Sequence, residues 1–270
     1  MMISTSRRGT PLAKDLVLAV DQGTTNSKAV LVDPATGAVV ASGSRPVSIA
    51  FPAPGWVEQD ATVLWDATAG AVADCLADAA GALPVAVAVT NQRESVVCWS
   101  RSTGRPLGPV LGWQDARTAA ACADLVARGA GDEVARRTGL SLDPMFSAPK
   151  MRWLLDAAVA GGADPSDVCL GTVDAWLVWN LTGERFAEAG NASRTLLLDL
   201  VTLDWHPALL EVFGLPASCL AEVRGSDAGF GRTRAVAGLP AGLPVSSVLA
   251  DSHAALYQHG CTSAGTGKAT

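Results

Sequence analysis

Three places in the sequence combine side-chain types that could do chemistry. Asp21 ends the apolar run Leu16-Val17-Leu18-Ala19-Val20 and is followed by Gln22-Gly23-Thr24-Thr25. Such a turn can present backbone N–H groups and two hydroxyls to a phosphate, while the carboxylate holds a magnesium ion through water. An ordinary hairpin turn uses the same residue types, so these residues alone leave both readings open. Arg93 and Glu94 follow a buried-type apolar run at residues 85–89. A guanidinium fork beside a carboxylate suits neighbouring hydroxyls of a polyol or sugar, and the alternative is an ion pair on a surface loop. Asp251 ends the run at residues 245–250. An acid there can accept the proton of a hydroxyl attacking phosphorus, or cap the following helix, and the two roles are compatible. Trp113 could offer an apolar wall to a carbon skeleton; with 8 tryptophans in the chain, core packing is the other reading.

Several other chemistries find no support. Gly265-Thr266-Gly267-Lys268 looks like the tail of a Walker loop, but Thr262 stands where the first glycine belongs and Ala269 where the magnesium-binding hydroxyl belongs. The 3 histidines, His206, His253 and His259, have no metal-ligand spacing, and no G-x-S-x-G elbow is present. The 6 cysteines form no C-x-x-C pair. A formal charge of -6 offers no basic field for a nucleic acid. No stretch approaches the roughly 20 apolar residues that cross a bilayer. Arg7 and Arg8 imitate a twin-arginine signal, but Asp15 and Asp21 cut the following apolar run short. A cytoplasmic protein is expected.

The elements that must carry these residues follow from periodicity and punctuation. Runs at residues 16–20, 29–32 and 38–41, separated by turn chemistry, predict an antiparallel meander of three strands. Asp60 predicts a helix start, with Leu64, Ala67, Ala71, Val72 and Cys75 at helical spacing and Gly81 as the stop. Strands are expected at 85–89, 96–99, 168–173 and 245–250, and helices near 116–128, 148–159, 174–181 and 252–259. Strands and helices alternate, which predicts an α/β domain.

Taken in order, these segments resemble the FGGY family of carbohydrate kinases, in its glycerol kinase branch. The resemblance is carried by Asp21-Gln22-Gly23-Thr24-Thr25, Gly55-Trp56-Val57-Glu58-Gln59-Asp60, Asn91-Gln92-Arg93-Glu94, Thr138-Gly139-Leu140 with Asp143-Pro144 and Phe146-Ser147, Gly171-Thr172-Val173-Asp174, Asn191-Ala192-Ser193-Arg194-Thr195, and Ala250-Asp251 with Ala254-Ala255-Leu256. It implies an actin-like ATPase, ribonuclease H-like fold with a mixed sheet and flanking helices, and ATP with Mg2+ as cofactors. It implies phosphoryl transfer to a hydroxyl of glycerol or a related polyol. By the same resemblance Thr24, Thr25, Asn26 and Lys28 would meet the nucleotide and Asp21 the metal. Arg93, Glu94, Trp113, Met145, Asp251 and Ser252 would bind the acceptor, with Asp251 as general base.

The sequence departs from the family pattern at two acceptor positions: Met145 stands where a glycerol-contacting tyrosine is usual, and Ser252 where glutamine is usual. An altered acceptor, larger or less symmetrical than glycerol, is expected. Residues 1–14, polar and without a periodic apolar pattern, are expected to form a loose leader, and the resemblance divides the rest into an acceptor-binding domain at 15–255 and the opening of a nucleotide-binding domain at 256–270. Residues 1–270 alone are therefore expected to turn over little ATP, and the face that a second domain would cover is expected to favour self-association. A non-catalytic polyol-binding module and a kinase for a sugar such as a ketose are the competing expectations.

Overall fold

A computed structural model describes residues 15–268, so the expected leader at 1–14 lies outside the described residues. The chain opens with the expected meander: β1 (Leu16–Gln22), β2 (Asn26–Asp33) and β3 (Ala38–Pro46) pair antiparallel in sequence order. Each strand runs past its apolar run, because ladder pairing continues through Asp21 and Lys28, whose side chains are polar. A short β4 (Glu58–Gln59) then leads into α1 (Ala61–Asp78). The Asp60 carboxylate accepts from the N–H groups of Thr62 and Val63 at 2.7 and 3.1 Å, the capping read from the sequence, a device typically worth about 1 kcal/mol. α1 lies so close to β3 that a Cβ on Gly43 would sit 2.2 Å from the Ala71 carbonyl oxygen. Only glycine permits that approach.

β5 (Pro84–Asn91) returns parallel to β1. β6 (Val96–Ser100) and β7 (Val110–Leu111) belong to a second sheet. α2 (Ala119–Ala127) begins later than the expected 116, because Ala116 and Asp115 are engaged in a loop that bonds back to Gly55 and Val57. α3 (Gly131–Thr138), α4 (Ser147–Ala160), β8 (Val168–Thr172) and α5 (Val173–Thr182) follow. Short pieces follow: β9 (Phe186–Glu188), α6 (Ala189–Ala192), β10 (Leu198–Asp199), β11 (Asp204–Trp205), α7 (Pro207–Phe213) and β12 (Glu222–Arg224). β13 (Val245–Ala250) and α8 (Asp251–Gln258) complete the chain order.

The main sheet has the order β13-β5-β1-β2-β3, with β13 and β5 parallel to β1, and the smaller one has the order β4-β7-β6-β8. Mixed α/β architecture is thus what the sequence led one to expect. Leu18, Leu31, Leu64 and Val248 lie in one core, which takes in residues of the main sheet, α1 and α5. Met151, Leu154, Leu170 and Phe213 lie in a second, which takes in residues of α4, α7, β6 and β8. Trp99 and Trp176 are buried with ring centroids 5.5 Å apart, so these two tryptophans serve packing.

Candidate active site

Parallel pairing brings the C-terminal ends of β1, β5 and β13 side by side: Asp21 pairs with Thr90, and Ala250 with Asn91. In open α/β sheets this edge is where ligands bind, since loops leave it and polar side chains gather there. A cavity of about 260 Å³ opens at it, lined by Thr24, Arg93, Glu94, Trp113, Met145 and Asp251, all singled out in the sequence, together with Gln92 and Arg194.

Charges in the cavity are arranged in a chain. Arg93 Nε donates to Asp251 Oδ1 at 3.2 Å, and its Nη1 lies 3.9 Å from Glu94 Oε1. Glu94 is buried, 5 % exposed, and Arg194 Nε donates to the same Oε1 at 2.6 Å. The loop reading of Arg93 and Glu94 as a plain surface pair therefore fails, because the glutamate is inside and shared by two guanidinium groups. Glu94 also has φ of 60°, a left-handed conformation that costs a non-glycine residue about 1 kcal/mol or more and is concentrated at functional sites. Asp251 is the first residue of α8 rather than its cap, which is Ala250; its Oδ1 also accepts the Ser252 N–H at 2.6 Å. Among the described residues both donors to this carboxylate meet Oδ1.

A buried layer of side-chain amides holds this edge together. Gln92 Nε2 donates to Gln22 Oε1 at 3.1 Å and Gln59 Oε1 at 3.0 Å, while Gln59 Nε2 donates to the Thr24 carbonyl at 2.8 Å. Ser95 Oγ donates to Gln92 Oε1 at 2.8 Å and accepts the Trp113 N–H at 3.0 Å. The Trp113 indole N–H reaches Thr24 Oγ1 at 3.2 Å. The turn after β1 and the wall at Trp113 are therefore tied to one another from above and below. Trp113 is 38 % exposed, which leaves ring surface for a ligand.

The remaining sequence candidates lie outside the lining. Thr25, Asn26 and Lys28 are exposed along the turn and β2, and Ser252 touches the site through its backbone. Lys28 pairs with Asp21 across the strands. The Asp21 carboxyl is raised above the usual carboxylate range, first by burial; Lys28 pulls it down and the Asp251 charge pushes it up. Each acid also has a protein cation at hand, Lys28 for Asp21 and Arg93 for Asp251, so a hydrated divalent cation held here would add to charge that is already partly balanced. Among the described residues no group of three or more His, Cys, Asp or Glu side chains forms a dedicated metal cage. Burial pushes the Cys98 thiol up to about 12 and Cys122 up to about 11, which rules them out as nucleophiles at neutral pH.

Sequence reasoning passed over Arg194 and Gln92 as individual site residues. Both lie inside stretches quoted for the family resemblance, but nothing in their local spacing announces a role. A larger concavity of about 720 Å³, beside Glu58, Asp60 and Arg105 at the start of α1, contains none of the clustered acids and bases described above.

Comparison with known proteins agrees with this geometry. Residues 16–257 match the family model described as the FGGY family of carbohydrate kinases, N-terminal domain. The chain is 44% identical to a glycerol kinase of Geobacter sp. (strain M21) over 264 residues, 95% of this chain and 52% of that protein. It is 45% identical to a glycerol kinase of Thermus brockianus over 262 residues, covering 94% and 52%. Among solved structures it superposes on Plasmodium falciparum glycerol kinase with ADP at a TM-score of 0.84 and 26% identity, covering 89% of this chain and 49% of that one. A xylulose kinase from Rhodospirillum rubrum gives a TM-score of 0.85 at 28% identity, covering 93% and 52%. The chain spans about half the length of the curated relatives it matches. It belongs to the FGGY family of carbohydrate kinases, and what it contains is that family's N-terminal domain.

Proposed function

We propose that this chain is the acceptor-binding half of an ATP-dependent kinase for a short polyol, with glycerol as the reference acceptor. The observation that carries the reading is the cavity in which Asp251, Arg93 and Glu94 meet. Its curated relatives at 40% identity or more, as far as they are named above, are glycerol kinases, whereas the xylulose kinase is at 28%. Arg93 and Glu94 would divide the donor and acceptor work on two vicinal hydroxyls, Arg93 giving N–H bonds and Glu94 accepting O–H bonds. Arg194 holds the Glu94 carboxylate in place for that purpose. Trp113 and Met145 would cover the carbon chain.

The reacting hydroxyl would donate to Asp251 Oδ2, since Oδ1 is held by Arg93 and Ser252. As the oxygen attacks phosphorus its proton passes to that carboxylate. Thr24, at the rim of the same cavity, would donate its hydroxyl to the incoming phosphate, with Thr25, Asn26 and Lys28 further along the turn. Asp21 would hold Mg2+, which when bound supplies neutralisation of phosphate charge. Catalysis of this kind rests on alignment and electrostatics, because the loose phosphoryl transition state needs little covalent help.

The test is acceptor-dependent ADP release from ATP by the full-length reading frame over glycerol, erythritol, other short polyols and ketoses, with Asp251→Asn as control. Release that requires one acceptor and vanishes in the variant supports the proposal and names the substrate. Polyol binding with no release on any acceptor favours a binding module instead.

A further inference from the structure

Lys150 is a fully covered lysine in the first turns of α4, and the mechanism above does not use it. Its Nζ donates to the Met145 carbonyl at 2.7 Å and to the Gly112 carbonyl at 3.1 Å. These carbonyls belong to two separate loops, and the side chains beside them, Met145 and Trp113, both line the cavity. The same turn of α4 makes two more bonds of this kind. Ser147 Oγ donates to the Glu94 carbonyl at 3.1 Å, and the Ala148 N–H donates to the Thr195 carbonyl, next to Arg194, at 2.8 Å. Two cavity residues, Met145 and Glu94, and the chain neighbours of two more, Trp113 and Arg194, thus hang from one helical turn.

A lysine is an expensive way to fill buried space. Among the described residues no carboxylate forms an ion pair with its ammonium, and Asp115, Glu94 and Asp143 act on it only through space. Burial pulls its pKa down to about 7. A methionine or leucine would occupy the same volume without that desolvation cost. What only the amine supplies is several N–H donors at the end of a long stem, enough to satisfy two buried carbonyls from different loops at once.

We propose that Lys150 is a positioning residue of the acceptor site, its amine fixing the spacing of the Trp113 and Met145 walls, with Ser147 holding Glu94 from the same turn. This rests on reading the cavity as a polyol site. Specificity for the length of the acceptor then depends on a residue that does not touch it.

The experiment is calorimetric titration of glycerol into the unaltered chain, Lys150→Met, Ser147→Ala and Leu31→Val, with a thermal melt of each. Leu31→Val lies in the other core and serves as a destabilised control. Lys150→Met is expected to weaken glycerol binding by about tenfold or more, the loss of two hydrogen bonds of ordinary net worth, and Ser147→Ala by severalfold. Leu31→Val is expected to lower the melting temperature and leave affinity unchanged. Unchanged affinity in Lys150→Met, or affinity that merely follows melting temperature across all variants, overturns the proposal. If Lys150→Met does not fold, Ser147→Ala decides, and wild-type affinity there overturns it. Failure of the unaltered chain to bind glycerol or any other short polyol removes the acceptor-site reading itself, and the positioning role with it.

Discussion

The Arg194 guanidinium and the Glu94 carboxylate meet at 2.6 Å across 100 residues of sequence, at the one place in the cavity where an acid is buried. The guanidinium is also seated over the Phe146 ring, 4.9 Å from its centroid. Removing it strands a carboxylate that is 7% exposed at its side chain with only the more distant Arg93 for company. Arg194→Met is expected to lose about 3 kcal/mol of folding stability, the lower end for breaking a buried pair because the arginine itself is partly exposed. Urea unfolding monitored by circular dichroism measures it. A loss below a few tenths of a kcal/mol would mean that the pair contributes nothing to the fold.

Asp251 carries the proposed proton transfer, and Arg93 orients it. Asp251→Asn keeps the bond from Arg93 to Oδ1 and removes the base, so acceptor turnover is expected to fall by about 10²- to 10⁴-fold with KM for the polyol changed far less. Steady-state kinetics of the full-length reading frame on glycerol separate the two constants. A variant that loses affinity and keeps its turnover would make Asp251 a binding group only.

Asp174 reports on pH. It is completely buried, accepts from the Glu188 N–H at 2.8 Å and from the Thr172 hydroxyl, and burial raises its pKa from 3.8 to about 7. Between those values the folded chain holds a proton that the unfolded chain has released, so this group's contribution to stability falls as pH rises from 3.8 to about 7. Asp174→Asn is expected to flatten that arm of the stability curve. Unfolding free energies across the window, compared for the two proteins, check it; parallel curves would show that Asp174 is ionised in the fold.

Gly43 lies where β3 presses hard against α1. Gly43→Ala would place a methyl 2.2 Å from the Ala71 carbonyl and 2.7 Å from the Cys75 nitrogen, both backbone atoms that cannot rotate away. The helix must shift, at a cost of about 3 kcal/mol or more. A melting temperature within a degree of the unaltered chain would disprove the close approach.

The main sheet was legible because its strands carry their own signal. Leu16, Leu18 and Val20 are buried, and the run at 245–250 ends at Asp251, which lines the cavity. α1 was legible from Asp60 and its apolar spacing. α3 was not, because its eight residues bury only Val134 and Thr138 and are otherwise held by charges, with Asp132 and Glu133 first and Arg136 and Arg137 last. Of the site, the residues at strand tips and in the first turn could be picked from type and position. Arg194 and Lys150 could not, since Arg194 meets Glu94 across 100 residues and Lys150 joins the Met145 carbonyl to that of Gly112, 38 residues away, and local spacing holds no trace of either. The burial of Glu94 was equally hidden: two polar residues after a strand look the same whether the loop faces water or folds over the sheet edge.

The position of β13 sets the order in which this site can come into being. The strand joins the sheet at its edge beside β5, after more than two hundred residues have been made, and it delivers Asp251 to Arg93. Pairing partners so distant in sequence form late, because the loop that joins them must be closed first. On a ribosome, β1, β2, β3, α1 and β5 emerge early and can pack against each other while the cavity still lacks its acid. The growing chain therefore carries the Arg93 side of the cavity for more than a hundred and fifty residues before its carboxylate partner Asp251 is made.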